Sequence, residues 1–188
     1  IGEVNVKKLV VGCYTRVRAL AGVRLRAVPG PEGAVFSNLE KIRDFHAHRF
    51  LPELETCEEE PTRLGRCFLR HRDSFALYAL YSKNKPVSDR LLIDHRTFFK
   101  QLALGDRMDL WSYLLKPVQR ISKYSLLLQD VLRECGPDQQ GVLEEVREAM
   151  EVVQFQLRHG NNLLAMDAIQ QCDVSCALWL ESILSVGI

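Results

Sequence analysis

The feature of this sequence that most constrains its fold is a long amphipathic stretch at residues 109–134. On a helical wheel that starts at Lys116 and advances about 100° per residue, its apolar residues fall together between about 120° and 220°. A β-strand would scatter the same residues over both of its faces. The stretch therefore predicts a long helix with one buried side, formed by Leu110, Trp111, Leu114, Val118, Ile121, Leu128 and Leu132.

Periodicity of the helical kind extends over most of the remaining chain. It predicts four further helices, at residues 34–55, 63–82 and 87–102 and from the turn at 136–138 to Gly160. Prolines lack the N–H that a helix interior needs, so Pro52 should kink or end the first helix and Pro86 should end the second. For the same reason Pro117 should bend the long helix near Lys116, while Ser88 is a candidate N-cap. Five helices and no convincing strand predict an all-α fold, an elongated helical bundle.

Length and charge narrow the possible partners. A chain of 188 residues suits one domain, and a net charge of +1 excludes a strongly cationic nucleic-acid binder. No apolar run reaches the roughly 20 residues that a membrane-spanning helix needs. An arginine-bearing arm near the start should support only weak or indirect membrane contact, through Arg16, Arg18, Arg24 and Arg26.

The cysteines and the start of the chain predict a compartment. Six cysteines are present without C-x-x-C spacing, and the first residues lack the apolar run and cleavage site of a secretory signal. We therefore expect a cytoplasmic protein with reduced thiols and no disulfide partner.

Motifs for catalysis are absent from the sequence. We find no phosphate-binding loop, dinucleotide fingerprint, zinc-protease motif or nucleophile elbow. His46 and His48 lie two residues apart, hence on different sides of a helix, and are expected to be surface or boundary residues, not metal ligands. We therefore expect no catalytic residue, no metal and no cofactor.

The polar side of the long helix is more informative. It carries Lys116, Gln119, Arg120 and Lys123. On the wheel Leu127 falls in the middle of this polar stripe, and Leu126 lies just off the edge of the apolar set. An apolar residue within a polar rim suits a protein interface. Two alternatives stay open: another element covers Leu127, or Leu127 is one of the many exposed leucines of globular proteins.

Three segments resemble a known family. The segment SYLLKPVQRISKYSLLLQDVL (112–132) resembles the signature helix of the Dbl-homology domain, the exchange-factor domain for Rho-family GTPases. The segment FSNLEKIRDFHAHRFLPELE (36–55) is similar to the family's second helix. The segment FLRHRDSFALYALYSKNKPVSD (68–89) is similar to the subgroup that includes the puratrophin-like and Solo-like exchange factors. Together the resemblance covers roughly residues 35–174.

This resemblance implies a domain that binds the switch regions of a Rho-family GTPase and promotes GDP release. By their positions in the motif, Lys123 and Gln119 would contact the GTPase, with Leu126 and Leu127 as apolar contacts. The resemblance also implies flanking or selectivity roles for Lys116, Arg120, Arg107 and Met108, and a contribution of the last helix through Arg158, Asn161 and Asn162.

The sequence departs from the family at both ends. Cys13 stands where the family's T-E-x-x-Y-V motif has its Glu, and cysteine does not supply that anionic acceptor. The first helix is therefore expected to be degenerate or replaced. The expected division is a divergent segment at 1–33, a partial Dbl-homology domain at 34–174 and a divergent tail at 175–188. The alternative function is a catalytically weakened GTPase-binding or scaffold fragment.

Overall fold

A computed structural model describes residues 32–101, 110–136 and 139–170 of the chain. Within these residues all regular structure is helical, so the predicted all-α class is confirmed. The α-helices, in chain order, are α1 Glu32–Phe36, α2 Leu39–Phe45, α3 Leu51–Glu59, α4 Leu64–Arg70, α5 Ala76–Asp94, α6 Arg96–Gln101, α7 Leu110–Leu114, α8 Lys116–Glu134 and α9 Gln140–Gln170. A π-helical turn, His46–Phe50, joins α2 to α3, and a 3₁₀ turn, Pro61–Arg63, joins α3 to α4.

The π-helical turn explains how the chain passes Pro52 without ending the helix. Pro52 lies in the first turn of α3, directly after the widened turn, where the Leu51 N–H donates to the His46 carbonyl five residues earlier. In a regular α-helix the proline ring would clash with the carbonyl four residues before it. The predicted irregularity is therefore a local widening of the turn, and the helical path continues to Glu59.

Pro86 does not end its helix, and this prediction was wrong. Helix α5 runs through Pro86 to Asp94. The proline ring is exposed, whereas Lys85 and Ser88 on either side of it are buried. A proline in a helix interior costs about 3 kcal/mol, and the packing of the buried side of α5 offsets that cost. The predicted boundary between residues 82 and 87 therefore does not exist.

Ser88 is not an N-cap but a buried link between two helices. Its Oγ donates a 2.6 Å hydrogen bond to the carbonyl of Val35, near the end of α1, where carbonyls lack partners within the helix. We expect Ser88→Ala to lower the free energy of unfolding by about 1–2 kcal/mol, because it leaves a buried acceptor without its donor. Urea denaturation with unchanged m-value checks this.

A matched control for that substitution is Ser122→Ala. The Ser122 hydroxyl is exposed and bonds only within its own helix, to the Val118 carbonyl at 3.3 Å. Its removal should change the unfolding free energy by less than about 0.5 kcal/mol. Equal losses for the two variants would contradict the role given to the Ser88 bond.

Helix α9 forms the long wall of the bundle and packs along α4, α5 and α8. It continues past Gly160, where the sequence predicted its end, to Gln170. At Gly160 a Cβ atom would lie 3.0 Å from Ser82 Cβ and 3.4 Å from Ala79 Cα. The glycine therefore lets α9 approach α5 closely, and it interrupts nothing.

An aromatic cluster fills the core between α2, α4, α5 and α8. Neighbouring ring centroids in it lie 5.0–6.2 Å apart, and its members are Phe45, Phe50, Phe68, Phe75, Tyr78 and Tyr124. His46 sits inside this cluster and is buried, so its predicted surface or boundary position was wrong. His48 is exposed, as expected.

Several predictions fall outside the described residues. They concern the arginine arm, Cys13, Arg107, Met108 and the tail at 175–188. Among the described residues, no helix is both long enough and apolar enough to cross a membrane. The cytoplasmic location and the weak membrane contact stay predictions.

Candidate functional site

The helix predicted over residues 109–134 is interrupted at Leu115, one residue before the predicted bend. Pro117 lies in the first turn of α8, where a missing N–H costs little. The break exposes the Leu114 carbonyl to other donors, and the Tyr81 hydroxyl donates to it at 2.7 Å. The proline and this bond from α5 together define where α8 begins.

The buried side of α8 differs from the predicted one by a rotation. Its residues centre at about 90° on the wheel that starts at Lys116, about 80° from the middle of the predicted stripe. The buried set is Pro117, Arg120, Ile121, Tyr124, Leu128 and Val131. Tyrosine and arginine bury their apolar parts while their polar ends find partners, so a count of purely apolar residues misplaced the centre.

Trp111, which lies on α7, is another residue whose predicted burial was wrong. It was predicted in the core but is 38% exposed. Its ring lies 5.1 Å from the ammonium of Lys85, within the range of a cation–π contact. Lys85 in turn pairs with Asp89 one turn further along α5.

The exposed side of α8 carries Gln119, Ser122, Lys123 and Leu126, and we call it the α8 face. Leu126 is 51% exposed, whereas Leu127 is half-buried at the edge of the face. The apolar residue at the centre of the polar surface is therefore Leu126, not Leu127 as predicted. Lys116 is half-buried at the start of the helix and flanks the face.

Arg120 does not belong to the α8 face. It was predicted on the polar side but is only 7% exposed, and its guanidinium lies 6.0 Å from the Tyr124 ring centroid. The Arg120 side chain is packed in the core, beneath the α8 face. The predicted position of Arg120 on the polar side was therefore wrong, and its flanking role beside a partner stays a prediction.

His46 is a buried residue that contacts both α5 and α8. The Tyr78 hydroxyl lies 2.7 Å from its Nε2 and the Tyr124 hydroxyl lies 3.3 Å from its Nδ1. Burial lowers the pKa of His46 to about 3, and the nearby charges of Arg120 and His71 act in the same direction. The imidazole is therefore neutral and ties the π-helical turn to α5 and α8. Its spacing from Ile42 and Phe45 was the signal that could have predicted its burial.

Helix α9 borders the α8 face. Gln154 Nε2 lies 3.5 Å from Ser125 Oγ. Because α8 and α9 are consecutive helices with a short connection, this contact places Arg158 and Asn161 beside the first two turns of α8. Both are exposed, and Arg158 Nη2 lies 3.3 Å from Glu151 Oε2. Arg158 also lines a groove with Arg72, Asp73 and Ala76, so its contribution beside Gln119 stays a prediction.

Comparison with known proteins decides the family. Residues 26–161 match the RhoGEF domain family. The chain belongs to the RhoGEF domain family. Human Puratrophin-1 is 60% identical over 150 residues, which are 78% of this chain and 12% of that protein. The human Pleckstrin homology domain-containing family G member 4B is 58% identical over 151 residues, 78% of this chain and 9% of that protein.

This RhoGEF domain thus spans about a tenth of the length of the two curated relatives. A solved structure described as "Critical structural role for the PH and C1 domains of the Vav1 exchange factor" matches its fold with a TM-score of 0.74. That match has 20% sequence identity and covers 89% of this chain and 50% of the other. The predicted family and its puratrophin-like branch are confirmed.

The α8 face lies on the family's signature segment. Within the described part of this RhoGEF domain, no group of three or more His, Cys, Asp or Glu side chains is placed to hold a metal ion. What the face offers is an amide, a hydroxyl, a cation and an apolar side chain on one rigid helix. Such a combination of side chains is typical of protein interfaces.

Proposed function

We propose that this chain is an exchange-factor domain that binds a Rho-family GTPase through the α8 face and promotes release of GDP. The observation that carries the proposal is the family match over residues 26–161, with Lys123, Gln119 and Leu126 exposed on the signature helix. We also propose that the domain spans residues 34–174. Arg120 is buried and is not part of the proposed contact surface.

The chemistry of the α8 face suits this role. When a partner removes an exposed leucine from water, the binding free energy becomes more favourable by about 25 cal/mol per Å² of apolar area buried. The Lys123 ammonium adds attraction for an acidic segment and raises the rate of encounter. Gln119, one turn earlier, both donates and accepts hydrogen bonds, which favours a backbone or amide partner.

The mechanism we propose needs no bond-breaking group. One protein promotes release of a ligand from a second protein when it binds the empty form of that second protein more tightly than the liganded form. By linkage, the factor by which the domain weakens GDP binding equals the factor by which GDP weakens binding of the domain. A thousandfold weakening therefore needs about 4 kcal/mol of differential binding, and the α8 face would supply part of it against the GTPase switch regions.

Loss of fluorescent GDP from a panel of Rho-family GTPases tests the proposal. The purified chain should accelerate this loss for at least one GTPase, and Lys123→Ala should reduce the acceleration about tenfold, because removing one charged contact at an interface costs roughly 1–2 kcal/mol. Lys41→Ala is a matched control, since Lys41 is an exposed lysine on α2. No acceleration with any GTPase in the panel would contradict the proposal.

A second function follows from the expected alignment that puts Cys13 at the position of the family's Glu. In that case the domain binds a GTPase without releasing nucleotide. Capture of nucleotide-free GTPase without accelerated GDP release would support this alternative. Cys13→Glu should then raise the rate of release, because it restores the anionic acceptor.

A further inference from the structure

Two buried cysteines on consecutive α-helices form a candidate site away from the α8 face. Cys57 lies near the end of α3 and Cys67 lies in α4, and the 3₁₀ turn Pro61–Arg63 separates the two helices. Both cysteines are free, and their side chains line the same small cavity. Cys57 is 7% exposed and Cys67 is 1% exposed, and the Cys57 thiol donates a 3.6 Å hydrogen bond to the Glu53 carbonyl. The cavity brings together two residues that sequence spacing alone does not pair.

A small cavity gives access to these thiols. Its volume is about 290 Å³, and both cysteines line it together with Glu53, Thr56, Arg63, Arg66 and Arg70. One water molecule occupies roughly 30 Å³ of liquid, so the cavity admits a molecule of the size of hydrogen peroxide. The side chains of Arg66 and Arg70 are mostly exposed and form part of its rim.

The surroundings give the two thiols different roles. A hydrogen bond from Cys67 lowers the pKa of Cys57, against burial and the Glu53 carboxylate, which both raise it, while Thr56 and Arg63 act in the same direction as that bond. The same bond raises the pKa of Cys67, and burial adds to that rise. A thiolate, not a thiol, attacks an oxidant. Cys57 is also the more exposed of the two side chains, so it is the attacking sulfur, and the more deeply buried Cys67 keeps its proton until the second step.

We propose that Cys57 and Cys67 are an oxidation site, at which hydrogen peroxide converts the thiol pair into a reversible disulfide between α3 and α4. This inference concerns a site separate from the α8 face and goes beyond the proposed exchange function. In the first step the Cys57 thiolate attacks one peroxide oxygen, the O–O bond breaks, and hydroxide leaves and is protonated to water. The product is a sulfenic acid at Cys57.

In the second step the Cys67 sulfur attacks the Cys57 sulfur. The S–O bond breaks, the S–S bond forms, and the Cys67 proton leaves with the hydroxyl as a second water. Each sulfur has lost one electron overall, and the two peroxide oxygens have gained two. The two sulfurs must close to about 2.05 Å, and the helices that carry them are joined only by the short 3₁₀ turn Pro61–Arg63 and its flanking residues.

Peptide mapping of the full chain tests this proposal. The folded, reduced protein is treated with hydrogen peroxide, quenched with N-ethylmaleimide, digested with trypsin and analysed by mass spectrometry. Trypsin places the two cysteines in separate peptides, residues 50–63 and 67–70. We expect these peptides to be joined, lighter by two hydrogen atoms than their sum, and to separate after treatment with dithiothreitol.

Two variants and one condition make the test specific. Cys67→Ser should leave a sulfenic acid at Cys57 that dimedone captures, whereas Cys135→Ser should leave the joined peptides unchanged, since Cys135 is a free cysteine elsewhere. In urea the linkage should form at least tenfold more slowly, because the fold brings the sulfurs together. Equal rates in urea and in buffer would overturn the proposal. The proposal would also be overturned if Cys135 were oxidised while Cys57 and Cys67 both carried N-ethylmaleimide, which marks thiols that had not been oxidised.

Discussion

Gly65→Ala is expected to lower the free energy of unfolding by about 2–3 kcal/mol, the cost of forcing extra volume into a packed core. A Cβ atom at Gly65 would lie 2.8 Å from both the carbonyl carbon and the Cβ of Glu145, and 2.9 Å from the backbone nitrogen of Val146. These are mainly backbone atoms of α9, so no flexible side chain can move aside. Helix α4 or α9 must shift instead, and urea denaturation measures the loss.

Gly141→Ala is the matched control for this prediction. Gly141 also lies in a helix, but a Cβ atom there meets nothing within 4 Å. Alanine favours helix over glycine by about 0.8–1 kcal/mol in a helix interior, so this variant should be equally stable or more stable than the parent. A Gly65→Ala protein that gains stability as Gly141→Ala does would show that α4 and α9 are not in close contact.

Acidification is expected to unfold the protein through His46. Because its pKa is about 3 in the folded protein and about 6.5 in the unfolded chain, the unfolded chain binds a proton that the folded protein rejects. The stability that comes from the neutral imidazole is complete above pH 6.5 and falls as the pH drops towards 3. The slope is about 1.4 kcal/mol per pH unit, so a change from pH 7 to pH 5 should cost about 2 kcal/mol.

Variants at two histidines of the same turn separate this effect from general acid sensitivity. His46→Gln should be less stable at neutral pH, because it disrupts contacts with Tyr78 and Tyr124, but its stability should fall less steeply between pH 6.5 and pH 5. His48→Gln changes an exposed residue and should keep the slope of the parent. Parallel curves for the parent and His46→Gln would refute the assignment.

The candidate site was predictable in part. Lys123 and Gln119 follow from the resemblance of the segment at 112–132, and both are exposed on α8. Leu126 and Leu127 could not be ranked from the wheel, because the ranking depends on where the buried side is centred. That centre is set by Tyr124 and Arg120, whose burial needs the cluster around His46 and Phe50.

The helix boundaries, too, were predictable from the sequence only in part. A proline predicts a lost hydrogen bond wherever it stands, yet Pro117 marks a helix start, Pro52 follows a widened turn and Pro86 lies inside α5. The covalent chemistry of the three prolines is identical. Their outcomes differ because neighbouring helices supply different compensation, such as the Tyr81 hydroxyl at the Leu114 carbonyl.

The sequence by itself determined the all-α class and the family, because periodicity and a long motif are properties of residue order alone. Only the tertiary structure decided which side of α8 meets solvent, that His46 is neutral and buried, and that Cys57 and Cys67 line one cavity. Each of these depends on groups far apart in the chain. Burial and hydrogen bonding act through space, so they become readable only when the packed helices bring the partners together.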